Sequence, residues 1–176
     1  EGNDRGHYLV AIKSSGKSRK FNMPDSSECL VELRSDGTQT MLPPSVHPSG
    51  HKLQFRYIND SAPAVDYADL LVATQRVAAC SVIARSWSEG SRHQLALAFA
   101  GMMYKADFDQ DLAENVVNTI CNFTSDEELD DRLNAVATTY AQDASSISGY
   151  GIMVDVLGVN TARKIAEWLD IGAINT

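Results

Sequence analysis

The chain has 176 residues, 44% of them apolar, and 23 acidic against 15 basic side chains give it a formal net charge of −8. That length buries one core or two small ones, and it contains no uninterrupted run of about 18 apolar residues, so no bilayer-spanning helix and no membrane partner are expected. Cys29, Cys80 and Cys121 are odd in number, far apart and without a CxxC pair, which argues against a disulfide framework or zinc site and for reduced thiols in a cytoplasmic protein.

Residues 1–7 are polar and lead straight into a strand-like run. They are neither a signal peptide nor a start site, and the first methionine is Met23, so the chain is expected to be a piece of something longer. Charge is unevenly spread. Eight basic residues face six acidic ones through Ile58 (+2), and seven face seventeen after it (−10). The front segment suits phosphates, while most of the back segment repels them.

The front reads as strands. Tyr8–Ile12 is a short apolar run rich in β formers, followed by a polar stretch to Ser27 that carries Lys13, Lys17, Arg19 and Lys20. Cys29–Arg34 is a second strand, closed by the turn signal Ser35-Asp36-Gly37. Thr38–Leu42 and Lys52–Ile58 are two more, flanking Pro43-Pro44-Ser45-Val46-His47-Pro48-Ser49-Gly50. Three prolines and a glycine forbid a helix or central strand there, because proline lacks the N–H that a ladder needs. A stiff loop with Ser45, His47 and Ser49 is a good place to hold a phosphate or a base.

After about Ser61 the period becomes helical. Helices are expected over Asp66–Trp87, from Ser91 to about Lys105, and over Asp109–Asn122. Ser125 and Glu128 make a capping box for a fourth. Ser148–Gly151 breaks the chain, Ile152–Leu157 is a short apolar turn or helix, and Asn160 caps a last helix, Thr161–Ile171, ended by Gly172. The expected class is α+β, a small and mainly antiparallel β-sheet unit followed by an α-helical bundle. Its expected domains are residues 1–60, a connecting helix at 61–88 and a bundle at 89–176.

Several stretches hint at chemistry. Gly16-Lys17-Ser18 lacks the earlier glycine of a phosphate-cradling loop, Ala11 standing there, so it reads as a basic solvated loop. Glu32 interrupts the apolar strand Leu30-Val31-Glu32-Leu33 and shares a face with Arg34. It is either an outward residue paired with Arg34 or a rigid carboxylate for a divalent ion, which one carboxylate cannot bind alone. Asp107, Asp109 and Asp111 alternate like the start of a calcium loop but lack its glycine and glutamate. With Glu114, Asp126, Glu127, Glu128, Asp130 and Asp131 they read as a solvated acidic belt at helix starts.

The segment from Val31 to Gly50, a hydrophobic–acidic–hydrophobic–Arg strand, a glycine turn and then Pro-Pro-Ser-Val-His-Pro-Ser-Gly, resembles the prim-pol domains of plasmid, phage and integrated-element replication proteins. These belong to the archaeo-eukaryotic primase superfamily. Arg5-Gly6-His7-Tyr8-Leu9-Val10 resembles the family's second motif, although the usual small residue is Arg5 here. Glu89-Gly90-Ser91-Arg92-His93 resembles the opening of the helical domain that follows the core, with His93 where Asn is frequent.

The resemblance implies a DNA primase-polymerase that joins nucleoside triphosphates on a single-stranded DNA template with Mg²⁺ or Mn²⁺. It makes Glu32 a catalytic metal ligand, His7 a catalytic residue gripping the triphosphate, and Arg34, Lys13, Ser45 and His47 nucleotide-binding residues. It also implies a template contact at Arg92 and a possible helicase partner. A rival alignment takes His47 as the second-motif histidine. The family's first motif, an acidic pair, has no counterpart upstream of His7. The chain is therefore expected to be inactive alone. The alternatives are a non-catalytic replication module whose bundle binds DNA or docks a helicase, and a truncated, inactive remnant.

Overall fold

The computed structural model describes residues 6–59, 63–147 and 149–171. The chain is α+β, with a two-stranded antiparallel sheet and six α-helices among the described residues. In chain order these are β1 Arg19–Asn22, β2 Cys29–Leu33, α1 Tyr67–Ser86, α2 Arg92–Lys105, α3 Gln110–Thr124, α4 Leu129–Tyr140, α5 Tyr150–Leu157 and α6 Val159–Trp168, with a 3₁₀ turn at Ala144–Ser146. Two compact units result. One holds the residues up to Lys20 and Glu32–Leu71; the other holds Phe21–Val31 and the chain from Val72 onward.

The helical unit owns the core. α2 is its centre and packs against α3, α4 and α5. Eight of its fourteen residues are buried, among them Leu95, Phe99, Met102 and Met103. Ala96, Ala98, Ala100 and Gly101 keep the helix thin enough for neighbours on several sides. Gly149 shows how close they come: a Cβ there would lie 2.3 Å from the carbonyl oxygen of Ala98 and 2.6 Å from the amide of Met102. α3 packs on α4 and α5 on α6. The hairpin tip joins this core, with Phe21 edge-on to Trp168 at 5.7 Å and Asp25 accepting from Thr161 at 3.0 Å.

Helix termini follow their sequence signals with two exceptions. Asp109 caps α3, its carboxylate accepting the Leu112 amide at 2.7 Å. The capping box is not formed. Ser125 adopts a left-handed conformation and ends α3, its amide returning to Asn122. Asp126 does the work instead and accepts the Glu128 amide at 3.1 Å. A residue that must turn the chain out of one helix cannot also hold the extended backbone of an N-cap. α6 begins at Val159 after Gly158, earlier than Asn160 predicts. Ser148 and Gly172 lie outside the described residues.

α1 meets, by length and composition alone, the requirement for a helix that crosses a membrane. No uninterrupted apolar run was expected and none exists; alanines, valines and a cysteine accumulate hydropathy around Gln75 and Arg76. Ala78, Ala79, Val82 and Ile83 are buried in the protein core.

The β unit is thinner than the sequence predicts. β2 forms where expected, but its partner is β1, within the stretch read as a polar loop. The turn between them closes through the Met23 amide and the Glu28 carbonyl at 2.8 Å. Tyr8–Ile12 is not a strand: Ile12 makes one isolated bridge to Val65, and Tyr8, Leu9 and Val10 are exposed. Thr38–Leu42 and Lys52–Ile58 are not strands either; Val46 and Lys52 form a lone antiparallel bridge. Among the described residues of this unit none is buried, and nine large apolar side chains, Tyr57 and Phe55 among them, face outward. Hydrogen bonds hold it instead. Ser18 Oγ accepts the Ser35 amide at 2.9 Å, and the Tyr67 hydroxyl donates to the Lys17 carbonyl. The Tyr67 ring covers Gly16, leaving no room for a side chain there.

Candidate functional site

The proline-rich loop forms a small hairpin. The Gly50 amide donates to the His47 carbonyl at 2.8 Å, closing a four-residue turn with Pro48 second and Gly50 last, where φ is +87°. Proline supplies the fixed φ of the second turn position, and glycine tolerates the positive φ that follows. The His47 amide then donates to the His51 carbonyl at 2.8 Å, and the Leu53 amide to the Ser45 carbonyl at 3.0 Å. His47 and His51 are thereby a cross-strand pair with Ser49 between them at the tip.

Side chains follow from this backbone. Ser49 Oγ lies 2.7 Å from Nδ1 of His47 and 3.1 Å from Nδ1 of His51, and the Ser49 amide donates to His47 Nδ1 at 3.2 Å. All three residues are exposed, as is Ser45. His51 belongs to this group although the sequence reading did not single it out. The signal available was the interval of four across a Pro-x-Gly turn, which sets the two histidines opposite one another.

Glu32 and Arg34 pair across the pleat, Oε2 to Nη2 at 3.0 Å, and Arg34 also donates to the Gln39 carbonyl at 3.2 Å. The guanidinium thus ties the strand end to the chain entering the proline loop. Lys13 pairs with Asp66 at 2.9 Å. His7 is exposed, and Arg5 lies outside the described residues. Among the described residues no group of three or more His, Cys, Asp or Glu side chains forms a metal site. A hard divalent ion takes six or more oxygen ligands. Glu32, with an arginine as its salt-bridge partner, does not fit that requirement from the described residues alone.

Arg92 lies in the helical unit, away from this group in the sequence and in a different network. Asp126, with its side chain fully buried, is the hub. Its Oδ2 accepts Trp87 Nε1 at 2.8 Å and Arg132 Nε at 3.0 Å, and its Oδ1 accepts the Glu128 amide at 3.1 Å with Arg92 Nη1 at 3.4 Å. Burial pushes the Asp126 carboxyl up, but the hydrogen bonds from Trp87, the Glu128 amide and Arg132 outweigh it and hold the group below the usual carboxylate range. Arg132 also pairs with Glu128 and Asp131, and Asp131 accepts from His93 at 2.8 Å. A carboxylate offers about four lone-pair sites, and all four of Asp126 are used. It is a structural pin, not an open ligand site, and it departs from the solvated belt expected of its neighbours.

The chain matches no family model, no curated protein and no solved structure at the level of similarity that shows kinship.

Proposed function

We propose that this chain is part of a DNA primase-polymerase that extends primers on a single-stranded template. The observation that carries the reading is the segment 31–50. An acidic–arginine strand end is tied to the chain that leads into an exposed hairpin whose imidazoles and hydroxyls are suited to phosphate oxygens. The Glu89-Gly90-Ser91-Arg92 opening of a helix bundle supports it. In this reading Arg34, Lys13, Ser45 and His47 surround the nucleotide and His7 grips its triphosphate. Arg92 offers a template phosphate the edge of its guanidinium that Asp126 leaves free. Mg²⁺ or Mn²⁺, if held by Glu32 with further carboxylates, would supply charge neutralisation for phosphoryl transfer. Holding it requires carboxylates besides Glu32, so the residues described are inactive by themselves.

In a protein that includes the missing acidic pair, Glu32→Ala abolishes primer synthesis while circular dichroism is unchanged. Near-normal synthesis removes Glu32 from the site. A second reading is favoured by one observation: the helical unit carries sixteen acidic against seven basic residues. That surface suits docking of a replication protein such as a helicase better than binding DNA. Template affinity that falls steeply with salt supports the first reading, and no DNA affinity at any salt supports the second.

A further inference from the structure

The chain leaving the proline hairpin presents a surface unlike the rest of the molecule. No acidic residue occurs between Asp36 and Asp60, in a chain that has 23 of them among 176 residues. Within that stretch Lys52 and Arg56 are exposed. Phe55 and Tyr57, on either side of Arg56, are 52% and 82% exposed. The arm starts from a fixed point, because Lys52 bridges to Val46 and the Leu53 amide donates to the Ser45 carbonyl at 3.0 Å.

An exposed aromatic ring alone does not name a partner; the charge beside it does. Phe123 on α3 is 79% exposed, but it belongs to the unit with sixteen acidic against seven basic residues, a setting that repels phosphates. Phe55 and Tyr57 stand among cations instead, which fits an anionic ligand with flat apolar faces. A nucleic-acid strand with unpaired bases has both: phosphates for the cations and π faces for the rings. A duplex offers the same phosphates, but its base faces are already stacked on one another.

We propose that Phe55 and Tyr57 stack on the bases of single-stranded DNA while Lys52 and Arg56 meet its backbone, and that this arm makes the protein prefer an unpaired strand to a duplex. That the strand is DNA rests on the polymerase reading above; the stacking site does not.

The test titrates a labelled oligothymidylate with the whole chain at low salt and follows fluorescence anisotropy. Tyr57→Ala and Phe55→Ala should each weaken binding about tenfold, the loss of one stacked base, and Tyr57→Trp should keep it. Both side chains are exposed, so the circular dichroism of the helices should not change. Lys52→Gln should reduce the slope of log affinity against log salt by about 0.7. Phe123→Ala should change nothing. The separating comparison is an abasic strand, which keeps the phosphates and lacks the bases. It should bind the wild type weakly and Tyr57→Ala equally well.

A Tyr57→Ala loss of equal size on thymidylate and abasic strands makes the ring structural and overturns the stacking site, as does a duplex that competes as well as the single strand. Strand binding that neither aromatic variant weakens overturns it too, and leaves the polymerase reading standing on Arg92. No affinity for any strand at low salt overturns it in favour of a protein partner on this arm. Stacking confirmed on thymidylate, together with normal primer synthesis by Glu32→Ala, leaves this site standing and removes the polymerase reading.

Discussion

Replacing Asp126 with alanine tests the central electrostatic feature of the helical unit. The substitution orphans two buried donors, Trp87 Nε1 and Arg132 Nε, each at a cost of about 1–3 kcal/mol. Removing one partner of a buried ion pair costs about 3–5 kcal/mol. Arg132 keeps Glu128 and Asp131, which places the expected loss at the lower end, about 3 kcal/mol. With an unfolding entropy of about 2.1 cal/mol/K per residue over a unit of 116 residues, the helical transition should fall by about 12 °C. Circular dichroism at the helix band follows it, and Trp87 fluorescence reports the local change. Acid gives a second readout. The folded carboxyl titrates below its unfolded value, so its stabilisation is complete above about pH 4 and is lost as pH falls through the folded pKa. Wild type and Asp126→Asn should therefore converge in stability on acidification. An alanine variant that melts within about 3 °C of wild type, or a gap to Asn that is constant with pH, refutes the buried hub.

Two further outcomes follow from packing. Gly149→Ala sets a methyl carbon against the Ala98 carbonyl and the Met102 amide, backbone atoms that cannot swing aside; it should cost about 1–3 kcal/mol in urea unfolding, and an unchanged midpoint would show that α5 does not seat on α2. Burial pushes the thiols of Cys80 and Cys121 up to about 11, so at pH 8 only about one in a thousand is thiolate. Iodoacetamide should leave both intact in the native protein and modify all three cysteines in urea, whereas rapid native labelling of Cys121 contradicts its burial.

The two units differ in how far sequence foretells them, and the reason is physical. A helix satisfies its backbone within itself, so Asp109, the 3.6-residue period and the polar breaks are enough to locate five of the six helices, α5 being read only as a turn or helix. The hub on Asp126 was not legible. Its partners Trp87, Arg92 and Arg132 are distant in sequence or on another helix, and local charge patterning cannot distinguish a buried carboxylate from its solvated neighbours Glu127 and Asp130. A strand satisfies its backbone only through another segment. Tyr8–Ile12 has the right residues yet finds a single bridge to Val65, while Arg19–Asn22, with one apolar residue, is a strand because a six-residue turn brings it to Cys29. Strand propensity describes a fit to a half-buried surface; Phe21 of β1 finds one against Trp168, whereas the described residues up to Lys20 and from Glu32 to Leu71 have none to offer.

Besides β2, what survived prediction in that unit is the stiff proline loop, whose turn at His47–Gly50 holds for the same reason that helices do. Its proline and glycine act on their own φ angles and need no partner. The tip chemistry inherits that independence. Because local backbone hydrogen bonds set the histidines opposite each other, their placement on either side of Ser49 should not depend on the rest of the unit. A hairpin of this kind is a self-sufficient local structure carried on an otherwise weakly packed unit, and its geometry is open to test in this chain alone.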